Sequence, residues 1–138
     1  MRLLVILVTL LLGSLSWTTR ADMVVVVAKN SSIAELTERQ IKRIFLSKTR
    51  RLDGSRIQTL ELSNVDLKAQ FYEKVAGKNL RQLNSYWTTL IFTGKGKPPK
   101  NVDKAETLLN ELSGNPSAIA YMPVEYLDDR LKVVHRVE

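Results

Sequence analysis

Residues 23–45 read MVVVVAKNSSIAELTERQIKRIF and establish the start of an α/β pattern. The run Met23–Ala28 is β-branched and does not alternate with polar residues, which is typical of a strand covered on both faces in a largely parallel sheet. Thr37 followed by Gln40 forms a capping box, so a helix is predicted to begin at Thr37 and to end near residues 47–49. The stripe that this helix is predicted to bury comprises Ile41, Ile44 and Phe45.

The same order of strand, turn and helix then follows a second time. Residues 53–55 (DGS) form a turn, and residues 56–62 (RIQTLEL) alternate enough to predict a second strand. Ser63 is predicted to cap the next helix, with Asp66 closing the box and Gly77 ending the helix in a left-handed conformation. Two consecutive strand and helix units favour an α/β domain.

Two further helices are separated by a basic loop. Asn79 with Gln82 predicts the start of the first helix, and Asp103 with Glu106 predicts the start of the second. Between them, residues 93–100 read TGKGKPPK, and the two glycines and two prolines are not expected to form regular structure.

The last part of the chain completes the predicted sheet. Apolar runs predict strands at residues 118–122 and 131–137, with a helical turn at 123–128 between them. We therefore predict a single α/β domain with a mostly parallel four-stranded sheet, helices on both faces and the last strand at an edge.

The first 21 residues have the pattern of an export signal. Arg2 precedes the largely apolar run 3–12, which small residues follow. Cleavage is expected before Asp22, and the serines at 14 and 16 offer an earlier alternative. A membrane anchor is the competing interpretation, but a spanning helix needs about 20 apolar residues. We expect residues 1–21 to be a signal peptide and residues 22–138 the domain, located in the periplasm if the source is a Gram-negative bacterium.

Composition limits the partners of the domain. The chain has 21 Lys and Arg against 14 Asp and Glu, and no cysteine for lipid attachment, disulfides or thiolate chemistry. Without Arg2 and Arg20, which fall in the signal segment, the net charge is about +5. This excess favours anionic ligands, lipid head groups or nucleic acid, and export makes nucleic acid the least expected of the three.

Three stretches resemble the phosphate-binding proteins that feed ABC transporters. Residues 36–48 (LTERQIKRIFLSK) are similar to the family's L-(S/T)-x-x-Q-(I/L)-x-x-I-F-x-G-K helix, and residues 115–121 (NPSAIAY) to its (T/N)-P-G-A-I-G-Y segment. Trp87 and residues 94–96 (GKG) match the family more weakly. The resemblance implies the fold of one lobe of a type II periplasmic binding protein, and recognition of phosphate or another small anion during transport.

The family's phosphate-gripping loop differs in this sequence. The family holds phosphate with an R-S-D-G-S-G-T loop between a strand and a helix, where this chain has residues 62–68 (LSNVDLK). Only Ser63 carries over as a ligand residue. Family members also close two lobes over the ligand, whereas residues 22–138 are expected to form one.

Candidate ligand-binding residues fall in three places: Ser31, Ser32, Ser63, Asn64, Thr93, Gly94 and Lys95. The first two follow the first strand, at the expected carboxyl end of the sheet, where open α/β folds bind ligands. The next two begin a helix, where free N–H groups and the helix dipole favour an anion, although N-capping alone also explains them. The last three open the basic loop, where glycines permit close backbone approach to an anion, but its lysines are better explained by solvation.

Catalytic chemistry has little support in the sequence. His135 is the only histidine and lies in the predicted edge strand, where a Ser-His-Asp arrangement would need a serine and an acid beside it. Asp128, Asp129 and Glu125 could exchange protons or bind calcium, but they are better explained as a polar turn capping Arg130. We therefore expect no enzyme, no metal and no cofactor.

Two functions remain open from the sequence. The first is an exported module that recognises a small anion, alone or as a homodimer, beside a membrane transporter. The second is an accessory module of the cell envelope that contacts another protein without transporting a ligand. The aromatic residues Phe45, Phe71, Tyr86 and Trp87 are expected in the core, because they fall on apolar helical stripes.

Overall fold

The computed structural model describes residues 22–138, so the predicted signal peptide lies outside the described residues. The strands are β1 Met23–Ala28, β2 Arg51–Leu52, β3 Ser55–Arg56, β4 Gln58–Leu62, β5 Lys100–Val102, β6 Ala118–Pro123 and β7 Leu131–Val137. The helices are α1 Glu38–Phe45, α2 Val65–Ala76, α3 Leu80–Phe92 and α4 Ala105–Ser113, and a 3₁₀ turn covers Val124–Tyr126.

The main sheet has the strand order β5-β4-β6-β1-β7. β4 pairs in parallel with β5 and β6, whereas β1 pairs antiparallel with β6 and β7. Every strand of this sheet except β1 therefore runs in the same direction. The α/β class, the mostly parallel sheet and the edge position of the last strand are confirmed.

The predicted count of four strands is wrong, because the sheet contains five. The additional strand, β5, lies at the end of the basic loop that was expected to be irregular. Three residues there pair with β4, through Leu60 opposite Lys100 and Leu62 opposite Val102. The predicted strand 56–62 is also divided, since β3 pairs with β2 in a separate two-stranded ribbon and only β4 enters the main sheet.

β1 is a fully buried interior strand of the sheet, between β6 and β7. All six of its side chains are at most 1% exposed, as expected for a strand covered on both faces. Its direction, however, places its carboxyl end beside the amino end of β6, with Val26 opposite Ala120 and Met23 opposite Pro123. The expectation that Ser31 and Ser32 lie at the carboxyl end of the sheet is therefore wrong: they lie where β4, β5 and β6 begin.

The helix ends follow local capping chemistry in most cases. The capping boxes of α1 and α3 form as predicted, with the Thr37 hydroxyl accepting from the Gln40 amide and the Asn79 side chain accepting from the Gln82 amide. Gly77 ends α2 in the left-handed conformation, at φ 62°. α1 ends at Phe45, slightly before the predicted residues.

Two predicted caps are wrong. The backbone N–H of Ser63 still bonds to the Val102 carbonyl, so the chain leaves the sheet one residue later and Asn64, not Ser63, caps α2 through its Oδ1 on the Leu67 amide. The Asp103 and Glu106 box does not form either. α4 starts after Lys104, which makes no side-chain capping bond.

An aromatic cluster joins α1 and α2 to the sheet. Phe71 of α2 stacks on Tyr121 of β6 with ring centroids 3.8 Å apart, and Phe45 of α1 meets both rings edge-on. Trp87 is 8% exposed, so it is also part of the core as predicted. Tyr86 is only half-buried, and its hydroxyl donates to the Leu46 carbonyl at 2.6 Å, which ties α3 to the end of α1.

Within residues 22–138, none of the helices has the length and apolar character that crossing a membrane requires.

Candidate anion-binding cleft

The structure places one group of predicted site residues at the opposite end of the sheet from the other two groups. Ser63 and Asn64 follow the carboxyl end of β4, whereas Ser31 and Ser32 lie at the opposite edge of the sheet because β1 is reversed. One ligand of the size of phosphate cannot contact both edges, since a five-residue strand is about 17 Å long. Residues 93–95 lie in the loop between α3 and β5, which leads to the same edge as Ser31.

Ser31 has a structural role. It is 6% exposed, and its hydroxyl donates to the Pro116 carbonyl at 2.5 Å and accepts from the Ile33 amide at 3.2 Å. Lys132 donates to the Ser31 carbonyl at 2.7 Å, which fixes the same turn from β7. The single hydroxyl proton of Ser31 is therefore already used within the protein, while Ser32 is exposed.

Residues 93–95, which follow α3, terminate that helix. The Thr93 hydroxyl donates to the Thr89 carbonyl at 2.8 Å, and the Lys95 amide bonds back to the Leu90 carbonyl at 3.0 Å. Gly94 makes this reversal at φ 68°, in the left-handed region that glycine adopts most easily. The loop that follows is turned back towards the sheet, and Gly94 lines a cleft there.

This cleft has a volume of about 910 Å³ and lies at the amino ends of the parallel strands. Its floor includes Gln58 and Thr59 of β4, Lys100 of β5 and Ser117 just before β6. The basic loop forms one wall, and the end of α1 with the β2–β3 ribbon forms the other. Three separate parts of the chain thus meet around one opening.

Gly96 and Ser47 line the cleft and lie close to each other. A Cβ atom on Gly96 would lie 2.7 Å from the Ser47 Oγ and 2.8 Å from a Leu90 methyl, so the loop can approach α1 this closely only with glycine. Ser47 itself has φ 60°, a left-handed conformation that costs a non-glycine residue about 1–2 kcal/mol. It occupies the position of the glycine in the family helix pattern quoted above.

The charge of the cleft is positive. Among the described residues that line it, Arg50, Arg56, Lys97 and Lys100 are cationic and none is acidic. Lys100 is partly neutralised by Glu111 at 3.2 Å, on the outside of the sheet edge. The other three make no ion pair within residues 22–138. Hydroxyl groups of Ser47, Thr49, Thr59 and Ser117 complete the polar part of the lining, and Ile44, Ile57 and Pro98 contribute apolar surface.

Sequence reasoning identified part of this cleft and missed the rest. Gly94 lines it, and Thr93 and Lys95 adjoin it, but Arg50 and Arg56 were not candidates. The sequence feature that could have indicated these arginines is the arginine-rich stretch around the 53–55 turn, which follows the family-like helix. Neither arginine belongs to a motif of fixed spacing, so only the fold shows that they lie opposite the basic loop.

The acidic residues near the end of the chain are engaged with Arg130. Its guanidinium donates to Asp128 at 2.6 Å and to Glu106 at 3.1 Å, and the hydrogen bonds from the Arg130 side chain and backbone to Asp128 lower the pKa of the Asp128 carboxyl. The predicted polar turn around Arg130 is thus present. His135 lies 3.1 Å from the Leu36 carbonyl through its Nδ1, a contact that holds the loop before α1 against β7.

A second charged group, which the sequence did not indicate, is buried beneath α2. Glu61 of β4 is 2% exposed, and it accepts from the Tyr121 hydroxyl at 2.9 Å and pairs with Lys68 at 3.1 Å. Burial raises the pKa of the Glu61 carboxyl, and Lys68 and Tyr121 only partly oppose this effect. Glu61 does not line the cleft, so it belongs to the core.

Comparison with known proteins gives a consistent fold. No family model matches the sequence, and no curated protein does. The solved structures it resembles include a Clostridium perfringens protein assigned as a phosphate ABC transporter substrate-binding protein, with bound phosphate, at 21% identity and TM-score 0.63. An ABC-type phosphate transport receptor from Vibrio cholerae matches at 11% identity and TM-score 0.56. PstS from Borrelia burgdorferi matches at 13% and 0.56.

These matches cover most of this chain but a smaller share of each solved protein. Each covers 83% of this chain but only 44–46% of the solved protein, so the chain spans less than half the length of the proteins it resembles. The resemblance to the phosphate-binding proteins expected from residues 36–48 and 115–121 is confirmed at the level of the fold. The described domain therefore has the fold of one lobe of the substrate-binding proteins of phosphate ABC transporters.

Proposed function

We propose that this protein is a binding domain for small oxyanions, phosphate among them, and not an enzyme. The observation that carries the proposal is the cleft, which gathers four cationic side chains and four hydroxyls and has no carboxylate among its described lining residues. Guanidinium groups suit this ligand class because their planar fork donates two hydrogen bonds to one oxyanion. The solved proteins of the same fold support it, since they are phosphate-binding receptors.

The chemistry of the lining predicts weak discrimination between oxyanions. At neutral pH phosphate carries a proton that needs a hydrogen-bond acceptor, whereas sulfate carries none. Among its lining side chains, the cleft offers acceptors only through hydroxyls and through the amides of Gln58 and Asn115, and the Gln58 oxygen already accepts from Asn115 at 3.0 Å. We therefore expect phosphate and sulfate to bind with similar affinity.

The openness of the cleft predicts modest, salt-sensitive affinity. Arg50, Arg56 and Lys97 are exposed to solvent, where ionic screening weakens charge interactions. The match covers less than half of the solved receptors, so a single domain offers only part of the surface that they have for a ligand. A partner that covers the cleft would raise the affinity, and a second copy of the chain is one such partner.

Export and transport belong to the same proposal. The expected signal peptide at 1–21 would place the domain in the periplasm, where it would meet a membrane transporter component. Ser63 and Asn64 remain the competing binding position, because they begin α2 at the opposite edge of the sheet. Gly94 lines the cleft, and Thr93 and Lys95 adjoin it.

Calorimetric titration of the 22–138 domain with inorganic phosphate and with sulfate tests the proposal. Arg56→Gln removes a charged donor from the cleft, and loss of a charged hydrogen bond should weaken binding about tenfold or more. Ser63→Ala is the matched control at the competing position and should leave the affinity unchanged. A titration in which Ser63→Ala loses binding and Arg56→Gln retains it would move the site to the start of α2.

An accessory, protein-contacting module is the second candidate function. It is favoured by the loss of the family's glycine-rich gripping loop, of which residues 62–68 keep only Ser63. Absence of heat with both anions, together with an unchanged melting temperature at millimolar ligand, would favour this alternative, because a ligand that binds the native state must raise its stability.

A further inference from the structure

The end of α3 exposes two large apolar side chains. Phe92 is 92% exposed and Ile91 is 57% exposed, and they are adjacent in sequence. Elsewhere in residues 22–138, the only comparably exposed large apolar side chains are Val65 and Tyr126, which lie in other elements. Helix capping does not account for the exposure of Ile91 and Phe92, because Thr93 and Gly94 end the helix through backbone and hydroxyl hydrogen bonds.

Phe92 does not belong to the buried apolar face of α3. Residues 81, 85 and 88 share its helical stripe by their spacing, and they are Arg, Ser and Thr. The opposite face of α3 carries the buried Leu83 and Trp87. An otherwise polar stripe thus ends in a single aromatic tip.

The sequence on both sides of this tip is basic. From Lys74 to Val102 the sequence contains six Lys and Arg and no Asp or Glu. Lys95 and Lys97 follow Phe92 within five residues, are exposed, and form no ion pair in the described part of the chain. Arg81 adds a further exposed charge on the Phe92 stripe.

We propose that the segment Ile91–Lys95 is a contact site for an anionic lipid surface, with Phe92 inserted among the head groups and Lys95 held near lipid phosphates. Two adjacent side chains are far smaller than the roughly 800 Å² that a stable protein interface needs on each partner. A lipid surface requires no complementary pocket, and it binds segments that combine aromatic tips with lysine. The charge of the segment selects an anionic surface.

Vesicle co-sedimentation of the 22–138 domain tests this site. Residues 22–138 contain every helix and strand described above together with the core. They lack the apolar run 3–12, which would itself bind vesicles. We expect binding to phosphatidylcholine vesicles that contain phosphatidylglycerol, and none to phosphatidylcholine alone. Phe92→Ser should weaken the partition about tenfold or more, and Lys95→Gln about fivefold.

Each control makes the same kind of substitution at an exposed residue outside the proposed lipid contact. Val65→Ser removes an exposed apolar side chain at the start of α2, and Lys104→Gln removes an exposed lysine before α4; both should leave the partition within twofold. Phe92→Trp should show a blue shift of its fluorescence when anionic vesicles are added. Equal binding to both vesicle types, or unchanged binding by Phe92→Ser, would overturn the inference.

Inorganic phosphate separates this site from the anion cleft. Phe92 does not line the cleft, so Phe92→Ser should bind phosphate as the unaltered domain does. Phosphate at concentrations that fill the cleft should not release the vesicles. Release at those concentrations would show that lipid phosphates occupy the cleft itself, and it would contradict a separate lipid contact.

Discussion

Replacing Phe71 with alanine should destabilise the domain by about 3–5 kcal/mol, which is the range for deleting a fully buried aromatic side chain. Phe71 is 0% exposed and contacts Tyr121, Phe45 and Tyr72 at centroid distances of 3.8, 5.0 and 5.2 Å. The cavity would open between two helices and the sheet, where rigid strands limit its collapse. Urea unfolding measures the loss as a lower transition midpoint.

Phe92→Ala is the control for this prediction, because it removes the same atoms from a side chain that is 92% exposed. Its effect should stay within about 0.5 kcal/mol, as for most surface changes. Similar losses for the two variants would contradict the packing described for α2.

Replacing Lys68 with methionine should destabilise the domain at neutral pH by about 1–3 kcal/mol, because it leaves the Glu61 carboxylate buried without its ion pair. The figure is kept below that of a fully buried pair, since Lys68 is 30% exposed. The loss should shrink as the pH falls towards 4, where Glu61 becomes protonated and no longer needs a cation. Urea unfolding between pH 4 and pH 8 provides the measurement.

The sign of this pH dependence follows from the raised pKa of Glu61. A carboxyl whose pKa is higher in the folded state contributes stability below its unfolded pKa, and this contribution is lost as the pH rises through the folded pKa. Lys68→Met raises the folded pKa further and so enlarges the loss at high pH. Glu61→Gln keeps an acceptor for Tyr121 and removes the titrating group, so Lys68→Met in that background should have little effect.

The elements that the sequence predicted best are those decided by neighbouring residues. Thr37 with Gln40 and Asn79 with Gln82 form their boxes, and Gly77 ends its helix, because each depends on chemistry within four residues. Ser63 failed as a cap for the opposite reason. Its amide is held by Val102, a strand pairing across 39 positions of sequence that no local pattern contains.

The direction of β1 explains most of what the sequence could not predict about the site. Its burial on both faces is the same whether it runs parallel or antiparallel to its neighbours, so the run of valines identified a central strand without its orientation. Reversal of β1 moved Ser31 to the amino ends of β4 and β6, where its hydroxyl bonds to Pro116. Arg50 and Arg56 were missed because they come to line the same cleft as Lys97 only after the sheet has formed.

The most direct test of the anion cleft is an amide NMR titration of the 22–138 domain with inorganic phosphate, against sodium chloride at equal ionic strength. Saturable shifts are predicted at Ser47, Gly96 and Ser117, which line the cleft from three separate elements. Shifts confined to residues 63–67 at the start of α2, or none beyond those caused by the salt, would contradict an anion site between the arginine hairpin and the lysine loop.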